Sequence, residues 1–101
     1  MRISIVGGID RAAPVLAKTA TDMGCELELH TGHTAGRGAP GLAAMIGRSD
    51  VVVIVTDINS HNAVIAARKL ATSLGRRTVI VRKLGPSKLA SIIGDLSAQA
   101  A

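Results

Sequence analysis

The sequence predicts an α/β fold: an open parallel sheet of four strands in the order 2-1-3-4, with helices on both faces. Three observations predict it. Apolar strand-like runs alternate with helical stretches along the whole chain, a pattern that implies right-handed crossovers between parallel strands. Val51 to Val55 is an unbroken β-branched run, as a strand buried on both faces requires. Glu26-Leu27-Glu28-Leu29 instead alternates polar and apolar, as an edge strand can. The Glu-bearing strand is therefore placed outermost, and the first strand beside the third.

Each element has its own signal. Ile3 to Val6 forms the first strand, and a helix near Arg11 to Met23 follows, with Asp10 as its cap, Pro14 near its first turn and Gly24 at its end. Leu27 to Leu29 is the second strand. A helix near Gly41 to Gly47 leads to the third strand, Val51 to Val55. Asn59 or Ser60 caps a helix from His61 to Leu74, which Gly75 terminates. On that helix Ala63, Ala67, Leu70 and Leu74 share one face, while Arg68 and Lys69 point outward. Arg68, Lys69, Arg76 and Arg77 read as solvated cations favoured by the helix carboxyl end. Thr78 to Val81 is the last strand. Ser87, after Pro86, caps a final helix from Lys88 to Leu96, and the tail from about residue 97 is expected to fray.

Composition narrows the function. With 101 residues the chain is expected to form one domain, residues 1–101, which buries about 60 to 68 % of its unfolded surface. Phe, Tyr and Trp are absent, so the core is aliphatic. The formal charge is +5. Single-strand binders stack bases on aromatic rings, so nucleic acid is not the expected partner. Cys25 is the only cysteine; no internal disulfide can form, and it reads as a packed thiol in a reducing compartment. The amino terminus reaches Gly7-Gly8 before a signal-peptide apolar region develops, and no apolar run approaches transmembrane length. A cytoplasmic protein with no membrane contact is expected.

All three histidines follow strand-like runs. In an open parallel sheet the carboxyl ends of neighbouring strands share the edge where ligands bind. Three loops meet there: Gly7-Gly8-Ile9-Asp10-Arg11, His30-Thr31-Gly32-His33 and Asp57-Ile58-Asn59-Ser60-His61. The first forms the floor between the two histidine loops. Gly7 and Gly8 permit close approach of a ligand, or simply a tight turn. G-x-G-x-x-G is absent, so a dinucleotide site is not expected. His61 opens a helix, whose positive end keeps an imidazole neutral and suited to iron. His30 ends the edge strand, and His33 lies in a Gly-rich loop as an exposed bystander. Arg11 and Arg37 are the cations nearest this edge, suited to carboxylate or phosphate. Asp57 sits where receiver domains keep an acceptor aspartate, but Gly7-Gly8 replaces their acidic pair; it can instead orient His61 or a loop. Ser60 and His61 are adjacent and cannot readily face each other, so no catalytic constellation is defined. A binding role is expected rather than catalysis.

Ile5-Val6-Gly7-Gly8 followed by Arg11, His30-Thr31-Gly32, Asp50-Val51-Val52-Val53 and Thr56-Asp57-Ile58-Asn59-Ser60-His61 together resemble the bacterial domain-of-unknown-function family 2325, from Ile3 to about Leu89. Gly7, Gly8, Arg11, His30, Gly32, Asp57, Ser60 and His61 match its positions, and His33 does not. The chain departs from other members in lacking their aromatics. The resemblance implies a small flavodoxin-like domain and a dimeric haem protein that binds oxygen.

On that basis the expected function is a cytoplasmic homodimer that holds haem b at the carboxyl edge and binds oxygen or another diatomic gas. His61 is the first choice of axial ligand to the iron. His30 is the second ligand or a distal polar residue, and Arg11 holds a propionate or stabilises the bound gas. Gly7, Gly8, Asp57 and Ser60 complete the binding site. Two alternatives stay open. One is a regulatory module binding a phosphate-bearing small molecule through Gly7, Gly8 and the following helix; the other is a metal-dependent enzyme using His30, His61 and Asp57.

Overall fold

Hydrophobic alternation becomes architecture through two cores, one on each face of the sheet. The computed structural model describes residues 1–7, 13–30, 38–57 and 61–100. Its elements run β1 (Arg2–Val6), α1 (Ala13–Asp22), β2 (Glu26–His30), α2 (Gly38–Gly47), β3 (Val51–Val55), α3 (His61–Ser73), β4 (Arg77–Val81) and α4 (Pro86–Ala100). All strand pairs are parallel and the order is β2-β1-β3-β4, as the sequence predicts.

Central position follows burial tolerance. Every residue of β3 is buried, whereas β2 and β4 keep exposed or half-buried positions. On one face Ile3, Ile5, Val51, Val53 and Val55 pack with Leu16 and Ala20 of α1 and Leu89, Ile92, Ile93 and Leu96 of α4. On the other, Val6, Val52 and Ile54 meet Leu42, Met45 and Ile46 of α2 and Ala67 and Ala71 of α3. The small residues of α3 let it lie close over the strands. Cys25, just before β2, is buried in the first cluster, as expected of a packed thiol.

Two helix ends share one geometry. Gly24 and Gly75 adopt φ of 78° and 68°, and the N–H groups of Cys25 and Arg76 donate to the carbonyls of Ala20 and Ala71, both at 2.8 Å. These are Schellman caps, in which a left-handed residue satisfies carbonyls the helix leaves free.

Several local expectations are corrected. Leu74 is 42 % exposed and lies beyond the end of α3; Ala71 takes its place in the buried stripe of Ala63, Ala67 and Ala71. Ser87 does not cap α4. The helix begins at Pro86, whose missing N–H costs nothing in the first turn, and the Gly85 carbonyl accepts from Leu89 N–H at 2.9 Å. The helix is longer than the expected Lys88 to Leu96 and runs from Pro86 to Ala100. Arg76 is half-buried, and its guanidinium donates to the Gly47 carbonyl at 2.9 Å, capping α2 rather than standing in solvent. Arg68 and Lys69 precede the last turn of α3, where the helix dipole favours cations less. The cap expected at Asp10 and that expected at Asn59 or Ser60 lie outside the described residues.

Candidate functional site

β1 is flanked by β2 and β3, so Val6, His30 and Val55 end strands along one carboxyl edge. Gly7 follows β1 with φ 97°, a backbone region that side chains other than glycine rarely enter. Its N–H donates to the His30 carbonyl at 2.7 Å. Gly7 is thus fastened to the end of the second strand.

His30 pairs in register with Val6. Register partners in a parallel sheet project to the same side, so His30 shares the α2–α3 face with Val6 and is half-buried there. That parity also applies to Glu28, opposite Ser4. His61 is the first residue of α3, and its backbone position alone is described. Gly8, Arg11, His33, Arg37 and Ser60 lie outside the described residues.

Asp57 continues the β3–β4 ladder past its strands. Thr56 N–H donates to the Val81 carbonyl at 2.9 Å, and Asp57 N–H to the Arg82 carbonyl at 3.0 Å. The Asp57 carboxylate lies 3.6 Å from the Arg82 guanidinium. This pair joins the third loop to the fourth strand, a link that the sequence reading did not include. Arg82 is highly exposed, so the pair contributes little to stability.

Behind the edge, two polar pairs form. The buried Ser4 and Ser49 hydroxyls hydrogen-bond each other. Ser49 Oγ also donates to the Met45 carbonyl at 2.7 Å. Glu28 receives two bonds from Arg48, at 3.1 and 2.7 Å. That bidentate contact is the largest influence and holds the Glu28 carboxyl below its usual range; burial, next in size, opposes it, and Coulombic attraction from Arg48 and then Arg2 adds to the lowering. The Arg48 guanidinium is raised in turn by the same hydrogen bond. Alternation along β2 marks Glu28 as facing away from Leu27 and Leu29, but sequence spacing gives no sign that Arg48 meets it.

Among the described residues, no three His, Cys, Asp or Glu side chains gather to form a group able to hold a metal ion. Of the described helices, none is long and apolar enough to cross a membrane.

Comparison with known proteins yields one family. Its profile, described as an uncharacterized protein conserved in bacteria, matches residues 2–96, seven residues beyond the Leu89 limit drawn from motifs. Searches of curated proteins and of solved structures return no match. With a match that spans nearly all of a four-stranded parallel α/β domain, the chain belongs to the bacterial family DUF2325.

Proposed function

We propose that the chain, as a homodimer, binds haem b at the carboxyl edge of its sheet and takes up oxygen or another diatomic gas. The observation that carries this reading is the strand order. β2, which ends in His30, and β3, which leads to His61, are separated by β1 alone, a span of about 10 Å between the outer two strands.

The residue types at this edge fit the group. The imidazoles of His30 and His61 would hold the group, His61 as the first choice of iron ligand and His30 as a second ligand or a polar residue near the bound gas. β1 and β3 end in the aliphatic residues Val6 and Val55. Gly7 leaves the floor free of a side chain, and Arg11 is the partner for a propionate or for the bound gas. The chemistry that haem supplies when bound is reversible coordination of the gas. A second copy covers the remaining ring surface, since a small aliphatic domain has little spare interior volume.

Titrating the purified chain with haem and recording its absorption spectrum tests the reading. A Soret shift lost in His61→Ala, and altered in His30→Ala, is the expected result. A spectrum identical to that of free haem, or a shift that both variants keep, overturns it.

A second reading has one observation of its own. The left-handed Gly7 opens the loop between β1 and α1, as a cradle for a phosphate-bearing small molecule requires. Thermal-shift measurements with nucleotides separate it from haem binding.

A further inference from the structure

Charge is segregated along this chain. Seven of the twelve cations but one of the seven acids lie after residue 57, and no acid interrupts residues 58–94. Tertiary structure arranges that stretch around β4, an edge strand: α3 packs over β3 and β4 on one face of the sheet, and α4 lies on the other face, where Lys88 lines a hollow with Arg82 and Lys83. Arg68, Lys69, Arg77, Lys83 and Lys88 are all exposed there. Among the described residues, none of these five has a carboxylate within 4.0 Å. The described cations of the first half are matched: Arg2 with Glu26, Arg48 with Glu28 and Lys18 with Asp22.

From this we infer a polyanion-binding surface at the β4 end, suited to the phosphate backbone of a nucleic-acid duplex. Its extent argues against a small anion. β4 is five residues, about 17 Å, long, with Arg77 at its start and Lys83 past its end. Arg68 and Lys69 stand on α3 and Lys88 on the first turn of α4. A ligand that engages them carries negative charge repeated over that span, as a duplex does. Exposed apolar side chains do not distinguish this end. Ile65, Leu74 and Ile80 here are balanced by Met1, Val15 and Met23 in the first half, so charge rather than apolar docking sets the partner. Without aromatic rings the chain cannot stack unpaired bases, whereas a duplex backbone needs none.

Fluorescence anisotropy of the full chain with a labelled DNA duplex of about 20 base pairs tests the proposal. Contacts from three to five cations give a slope of log K against log salt of about −2.7 to −4.5, which weakens binding about 40- to 500-fold between 50 and 200 mM salt. The double variant Arg77→Gln/Lys83→Gln is expected to reduce the magnitude of that slope by about 2 and to weaken binding about tenfold or more in 50 mM salt. Lys18→Gln should leave both unchanged, and circular dichroism verifies that each variant folds. Three results overturn the proposal: no binding in 50 mM salt, equal weakening by Lys18→Gln, or polyglutamate binding more tightly than duplex. The last outcome assigns the surface to an acidic protein partner.

Discussion

The two edge strands solve the same problem in opposite ways. β2 carries Glu26 and Glu28, and the neighbouring elements supply Arg2 and Arg48 to pair with them. β4 starts at Arg77 and is followed by Arg82 and Lys83; of these, Arg82 alone has an acid, Asp57, within 4.0 Å among the described residues. Both edges resist adding another strand, because charged side chains deter edge-to-edge pairing. The β2 end does so with charges that neutralise each other, and the β4 end with charges left in solvent. A neutralised edge is a finished surface, whereas an unneutralised one attracts a counter-charge.

Core truncation is the most severe test of this contrast. Leu42 in α2 and Leu89 in α4 are fully buried on opposite faces. Leu42→Ala and Leu89→Ala should each cost about 2–5 kcal/mol, measured by urea denaturation. A large loss in one and none in the other would mean that the two faces differ in packing, so that charge would not be their main distinction.

Next in size is the buried hydroxyl pair. Ser49→Ala leaves the Ser4 hydroxyl without its close partner and should cost about 1–3 kcal/mol. The double change Ser4→Ala/Ser49→Ala should cost less than the sum of the single changes, because no buried polar group is then stranded. Additive losses would show that the two hydroxyls act independently.

Acid titration probes the paired edge more gently. The folded pKa of Glu28 lies below its ordinary value, so the stabilisation from this group is complete above the usual carboxylate range and fades as pH falls through the lowered value. Glu28→Gln should flatten that part of the stability curve slightly, since both partners of the pair are largely in water. An unchanged curve would show that the pair guides direction without contributing stability.

Salt has the smallest expected effect and the opposite sign at the two ends. Screening weakens the Glu28–Arg48 pair but relieves repulsion among the β4 cations. Lys83→Gln should therefore raise the melting temperature slightly at low salt, and the gain should vanish as salt is added. A loss of stability would reveal a partner for Lys83.

Legibility from sequence followed the range of the interaction. Val51 to Val55 and the alternating Glu26 to Leu29 identified a central and an edge strand, because burial on two faces or one is written directly in residue order. Gly24 and Gly75 marked their helix ends because positive φ is a local demand. At the candidate site, Gly7 and His30 were legible as neighbours on one edge once the strand order was known. Arg82 beside Asp57 was not, since their meeting depends on two strands ending at matching heights. Likewise, nothing local says that Arg76 caps α2 across 29 residues of sequence, or that Arg48 reaches Glu28.

Sequence alone determined the alternating α/β pattern, the aliphatic core, the helix stops and the excess of cations after residue 57, all of them properties of neighbouring residues. Tertiary structure alone decided which charges would be neutralised. It brought Glu26 and Glu28 against Arg2 and Arg48, and among the described residues it left Arg68, Lys69, Arg77, Lys83 and Lys88 with no carboxylate within 4.0 Å. The physical reason is reach: an ion pair forms only within a few ångströms, and packing of the elements sets which side chains come that close.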